Sequence, residues 1–315
     1  MGPVRTALTV SLVVVATGCA GGDDSGRPSD PQTLGPASTT TLAFAAALCD
    51  APPPEQRGTV EPDGLVELSG LAASRRHPGE LYAHNDSGDV ARLFVIDGTG
   101  RAVDEVTVAG VTPFDWEDLA LHDDVLYVGD IGDNARARSE IVVARVAEAD
   151  IRARDATATT IPLSYPDGPH DAEALMVDPV AEQLVVVTKE PAGTSGVYVT
   201  PLADPGALEL VATLDLGVAE LVTAGDISSD GALLALRTYG AVLLWERRAG
   251  EPIADALARD PCRAPSAREP QGEALALTAD GYMTISEGEH PPVWAVTTAG
   301  GPTTGASAPG TSPGR

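Results

Sequence analysis

The sequence predicts an all-β fold, a β-propeller of five blades closed by the N-terminal segment. Three features point to it. A pattern of about 50 residues recurs five times, each copy opens with two apolar strands around a turn, and the last copy is one strand short.

The copies align as LSGLAASRRHPGELYAHNDSG from Leu68, WEDLALHDDVLYVGDIGDN from Trp116, AEALMVDPVAEQLVVVTKEP from Ala172, AGDISSDGALLALRTYG from Ala224 and GEALALTADGYMTISEG from Gly272. Each runs from a polar start through an apolar strand, a turn and a second apolar strand to a polar end. The turns His77-Pro78-Gly79, Asp123-Asp124, Asp178-Pro179, Asp230-Gly231 and Asp280-Gly281 hold residues that accept tight-turn dihedrals, so each marks a hairpin. Third strands are expected at residues 92–96, 141–146 and 196–200, and fourth strands at 103–108, 157–163 and 208–214. Beyond residue 296 the fifth copy has no fourth strand, and a ring left open there would expose an unpaired edge. The segment 42–66 is the available donor. Six blades is the alternative reading, if residues 249–270 hide a degenerate copy.

The N-terminus reads as a lipoprotein signal peptide over residues 1–18. One basic residue, Arg5, precedes an apolar run over 7–16, too short for the ~20 residues of a permanent span. The run ends in Ala16-Thr17-Gly18-Cys19, small residues before a thiol that accepts diacylglycerol, so Cys19 is the expected lipidation site. The mature protein is then expected on the extracytoplasmic face of the cell membrane, held there by diacylglycerol and acyl chains such as palmitate. Residues 19–62 read as a lipid-attached flexible tether with a possible closing strand, 63–296 as the propeller and 297–315 as a disordered tail.

The formal net charge of −26 argues against nucleic acid or anionic lipid as partners, since both require basic patches. Cations or cationic groups fit better. With Cys19 lipidated, Cys49 and Cys262 remain as an even pair in an oxidising compartment, and a disulfide between them is expected.

In a propeller the first strand of each blade lines the channel, and its start shares a face with the end of the second strand. The starts place Ser69, Glu117, Glu173 and Glu273 in one column and Asp118 and Asp226 in the next. Strand ends are polar for the bland reason that they meet water, and Asp and Asn make turns. Glu is not a turn former, and carboxylates around a narrow channel repel unless a cation or donors sit among them. Glu117, Asp118, Glu173, Asp226 and Glu273 are therefore candidate metal ligands, with Ca2+ as the cation that tolerates irregular oxygen shells. The second-strand ends offer Asn85, Asp86, Asp130, Asp133, Asn134 and Tyr239 as candidate ligand-binding residues. Lys189, Arg237 and Glu287 are the candidate catalytic residues, and Lys189 is the single Lys among 20 basic residues. Lys189 and Arg237 could instead neutralise the ring internally and leave no room for a metal.

The set Asp115-Trp116-Glu117-Asp118, Gly129-Asp130-Ile131-Gly132-Asp133-Asn134, Tyr165-Pro166-Asp167-Gly168, Asp171-Ala172-Glu173-Ala174, Thr188-Lys189, the segment Thr223 to Ser228, Arg237-Thr238-Tyr239, Gln271-Gly272-Glu273-Ala274 and Ser286-Glu287-Gly288 resembles exported, lipobox-bearing β-propeller proteins of high-GC Gram-positive bacteria. More distantly the chain resembles propellers of the phytase-like esterase kind. That resemblance implies ester or phosphoester chemistry and calcium, although the basic cluster of a phytate pocket is missing here.

Three classes of function stay open on the sequence. They are a surface-anchored protein that binds a cation or small ligand at an acidic channel mouth, a metal-assisted hydrolase of ester or phosphoester bonds, and a structural interaction module.

Overall fold

Apolar runs and turn residues set the strands, and in the computed structural model, which describes residues 39–298, the strands assemble into five four-stranded antiparallel sheets around one axis. The described chain begins with α1 (Thr39–Cys49) and β1 (Glu55–Thr59). Blade 1 is β2 (Leu68–Ala73), β3 (Glu80–Asn85), β4 (Arg92–Asp97) and β5 (Ala102–Thr107). Blade 2 is β6 (Trp116–His122), β7 (Val125–Asp130), β8 (Ile141–Ala147) and, after the short helix α2 (Glu148–Ala153), β9 (Thr159–Leu163). Blade 3 is β10 (Ala172–Asp178), β11 (Gln183–Thr188), β12 (Thr194–Pro201) and β13 (Glu209–Asp215). Blade 4 is β14 (Val222–Ile227), β15 (Leu233–Thr238), β16 (Ala241–Glu246) and, after α3 (Ile253–Leu257), β17 (Cys262–Ala264). Blade 5 is β18 (Gly272–Leu277), β19 (Gly281–Ser286) and β20 (Pro292–Thr297), completed by β1.

Position in the blade explains composition. The inner strand β10 is buried along its whole length and reads AEALMVD, while the outer strand β13 is exposed or half-buried except at Leu214. Successive blades pack face to face, as where Val185, Val187 and Val197 of blade 3 meet Leu234, Leu236 and Trp245 of blade 4. The hairpin turn of blade 2 places Asp123 and Asp124 at φ 45° and 62°, the left-handed pair that a two-residue turn of this twist requires.

Closure follows the expectation. β1 pairs antiparallel with β20, Glu55 opposite Ala295 and Thr59 opposite Pro292, and supplies the strand that blade 5 lacks. The apolar run at 42–48 is not the donor but part of helix α1. Leu48 and Ala45 bury against Val242, Leu244, Ala264 and Tyr282, which seats the helix on blades 4 and 5. Cys49 and Cys262 are disulfide-bonded, with Cα atoms 6.0 Å apart, and tie α1 to β17. The segment at 249–270 holds α3 and β17, the outer strand of blade 4, so the described residues form five blades and no sixth. Cys19, the expected signal peptide and most of the expected C-terminal tail lie outside the described residues.

One register is corrected by the structure. The fourth copy opens at Val222-Thr223-Ala224, so Thr223, not Gly225, aligns with the Glu column, and Asp226 stands two residues farther down the channel than Asp118. The Gly-Asp pair mimics the Glu-Asp opening of blade 2. Gly225 instead takes the position that Leu119, Leu175 and Leu275 hold in other blades, where an added Cβ would press on Leu236 and on the Met176 sulfur at 3.0 Å.

Candidate functional site

Every inner strand carries a bulge at its upper end. Trp116 pairs with Asp130 and Asp118 with Gly129, so Glu117 is left unmatched between them. The same one-residue excess falls at Glu173, Thr223 and Glu273, and across Ser69-Gly70 in blade 1. A bulge bends its strand and re-aims the extra side chain, and five of them at one level build a ring around the upper mouth. The two hydroxyls are spent within the ring: Ser69 Oγ donates to the Glu117 carbonyl at 2.6 Å, and Thr223 Oγ1 to the Gly272 carbonyl at 2.7 Å. The three Glu residues are 2–4% exposed.

Glu117 belongs to a cluster. One carboxylate oxygen each from Asp86, Asp115 and Glu117 lie within 4.8 Å of one another. Asp86 follows the end of β3, and its N–H donates to the Glu67 carbonyl at 2.8 Å. Asp115 precedes β6 in a loop that Asp130 clamps, accepting from the Phe114 N–H at 2.8 Å and the Asp115 N–H at 3.3 Å while Arg138 pairs with it at 2.8 Å. Gly132 lines the cluster so closely that a Cβ would lie 2.0 Å from Glu117 Oε1 and 2.5 Å from Asp115 Oδ2. A larger residue there would displace both carboxylates. Burial pushes the Asp115 carboxyl up to about 6, with Asp86 and Asp171 adding to it. Burial, then Glu173 and Asp86, push Glu117 well above the usual carboxylate range. Among the described residues none donates a hydrogen bond to the side chain of either Asp115 or Glu117.

Across the mouth, Lys189 at the end of blade 3's second strand is paired with Glu173 and donates to the Tyr239 hydroxyl at 3.0 Å. Its Nζ also lies 5.1 Å from the Tyr239 ring centroid. Burial lowers the Lys189 pKa, but Glu173, Tyr239 and Glu273 outweigh it and hold the ammonium charged. Glu273 Oε2 is buried with no hydrogen-bond partner. Glu287 accepts from Gln271 at 2.6 Å, and burial followed by Glu273, Asp86 and Glu67 pushes its carboxyl up to about 7.

Thus Asp86, Glu117, Glu173, Lys189, Tyr239, Glu273 and Glu287 converge as the sequence predicts, and other candidates do not. Asp118 accepts from the N–H groups of Leu119, Leu175 and Gly225 at 2.8–3.0 Å, so it fastens three blades across the channel. Asp226 accepts from Ile227 and Leu277 and lines a cavity of about 350 Å³ at the lower mouth. Arg237 is 3% exposed, paired with Glu269 and bonded to the Ala274 carbonyl at 2.9 Å, so it does not reach the mouth. Asn85 uses both amide atoms on the loop before β2 and on Asp89. Asp130 and Asp133 anchor the loop at Arg138, and Asn134 is exposed. Sequence reasoning missed Asp115, Asp171 and Gly132. Asp171 accepts from the Asp133 N–H at 2.8 Å and stands beside Lys189. The signal was present, since Asp115 and Asp171 each precede a bulged Glu by two residues.

No known protein-family description matches the chain, and no curated protein does. Among solved structures it is similar to a gluconolactonase from Xanthomonas campestris, at 12% identity and a TM-score of 0.48 over 87% of this chain and 99% of that one. It is also similar to the nidogen/laminin complex, at 11% identity and a TM-score of 0.43 over 70% and 73%. A third is U3-55K, at 16% identity and a TM-score of 0.38 over 73% and 67%. Likeness at this level says nothing of the chemistry at the mouth.

Proposed function

We propose that this chain is a lipid-anchored extracytoplasmic protein that binds calcium at the upper mouth of the propeller and holds a small oxygen-rich ligand through it. The observation that carries the reading is the trio Asp86, Asp115 and Glu117, whose oxygens gather within 4.8 Å while two of the three side chains lack a donor. Three mutually repelling carboxylates so placed are costly as anions, and a divalent cation offsets that cost. Calcium takes six to eight oxygens at about 2.3–2.6 Å and accepts irregular shells, so water or ligand oxygens would complete a shell that three carboxylates begin. Lys189 and Tyr239, on the facing blades, would then meet the anionic or hydroxyl end of the ligand.

Thermal unfolding in chelator and in millimolar calcium tests the site. A bound ion stabilises in proportion to the logarithm of its excess over Kd, about 2.7 kcal/mol at 100-fold. The expected result is a rise in Tm with calcium that Glu117→Gln abolishes; a Tm that calcium and chelator leave unmoved overturns the reading. Anchoring rests on Cys19, and a Cys19→Ala variant is expected to leave the membrane fraction on cell fractionation. A variant that stays membrane-bound rejects lipid anchoring through this residue.

A further inference from the structure

A second constellation of metal-ligating side chains lies on the opposite, lower face, where blades 2 and 3 turn between their first and second strands. His122 ends β6, Asp123 follows it in the hairpin turn, and Glu182 stands in the turn before β11. One ligand atom from each lies within 4.8 Å of the others. We propose that these three residues form a zinc site, separate from the upper mouth.

The donor geometry carries the proposal. His122 Nε2 is 3.4 Å from Glu182 Oε2 and 3.5 Å from Asp123 Oδ2. The contact to Glu182 is a hydrogen bond at the long end of the range, beyond the usual ~2.7–3.2 Å. Both separations also fit the edge of a tetrahedron, since bonds of about 2.0–2.1 Å to zinc place neighbouring ligand atoms about 3.3–3.4 Å apart. The imidazole is 6% exposed and aims its Nε2 at the gap between the two carboxylates, so the one donor that is costly to bury is the one that faces the site.

Competition for the ligands is low. Arg76 pairs with Asp124 at 2.9 Å and leaves its neighbour Asp123 alone, and among the described residues Asp123 and Glu182 have no Arg or Lys partner within 4.0 Å. Chemistry selects the ion. An imidazole nitrogen with two carboxylates suits zinc, while calcium calls for oxygen throughout. The carboxylate side chains are 79% and 60% exposed, so a solvent-facing fourth position would carry water. Bound there, the ion would cross-link the lower turns of two adjacent blades.

Equilibrium dialysis of the mature protein with zinc, beside the visible spectrum of the cobalt-loaded form, tests the proposal. Wild type is expected to retain zinc and to show the intense d–d bands of four-coordinate cobalt. Asp123→Asn and Glu182→Gln alter exposed side chains and leave folding intact; each is expected to weaken zinc binding at least ~10-fold, as even loss of an outer-shell partner does. His122→Gln is expected to do the same, and Glu117→Gln at the upper mouth to leave zinc binding unchanged. Absence of zinc retention, weak six-coordinate cobalt bands, or affinity unchanged in both Asp123→Asn and Glu182→Gln overturns it. So does zinc lost with Glu117→Gln, which would put the ion at the mouth.

Discussion

Two groups of buried carboxylates divide the molecule, and they differ in their donors more than in their burial. Asp178 is fully buried and receives Arg247 through two bonds at 2.6 and 3.0 Å, with the Val180 N–H at 2.9 Å. Glu148, equally buried, accepts through Oε1 from Ser74, Tyr82 and the N–H groups of Arg75 and Arg76, while its Oε2 has no hydrogen-bond partner. Glu117 at the upper mouth is 2% exposed and receives no hydrogen bond from the described residues, while like charges surround it. Acids of the first kind, each with several donors, hold blades together. Acids of the second kind keep a charge deficit in place, and a deficit is what a cation binds.

The contrast breaks most visibly where a satisfied acid is removed. Asp178→Asn leaves the Arg247 guanidinium, itself 2% exposed, without its counter-charge. Loss of one partner of a buried pair costs about 3–5 kcal/mol, so a fall of that size in unfolding free energy is expected from urea denaturation. A loss below about 1 kcal/mol would mean that water reaches Arg247 and that donor inventory does not separate the two groups.

The sequence made the scaffold legible because a propeller repeats its physics five times. Apolar runs, turn residues and the missing fourth strand each recur or fail at known intervals, so blade number and closure follow without any long-range contact being known. The pairing of Cys49 with Cys262 was legible for a simpler reason, since the expected lipid attachment at Cys19 leaves only two thiols. The site was legible as a column but not as a cluster. A bulge adds one residue to a strand without leaving a mark in hydropathy, so the sequence aligns Asp226 with Asp118, whereas Thr223 is the residue at the ring. Donor supply was hidden as well: nothing near Asp118 in the sequence tells that the Leu175 and Gly225 N–H groups face it from two other blades, or that Glu269 engages Arg237.

The smallest expected effect is the most diagnostic, and it concerns Glu117 without any ion. Its carboxyl, those of Asp115 at about 6 and of Glu287 at about 7, are held above their unfolded values by burial first and neighbouring acids second. Groups raised in this way contribute stability that is complete below the unfolded pKa near 4 and is lost as pH rises through the folded pKa. His84 works in the opposite direction: burial lowers it to about 4, so its contribution is complete above about 6.5 and is lost as pH falls toward 4. Taking wild type minus Glu117→Gln cancels His84 and leaves the carboxylate. In chelator the two proteins are expected to be closer in stability at pH 5 than at pH 8, where the Gln variant is the more stable, since it never has to ionise in the ring. With calcium at pH 8 the order is expected to reverse, because the ion favours the ionised Glu117 and gains nothing from the amide. Thermal unfolding under the four conditions reads both signs. A Gln variant less stable than wild type in chelator at pH 8 would place Glu117 among the satisfied acids and remove the distinction on which the calcium site rests.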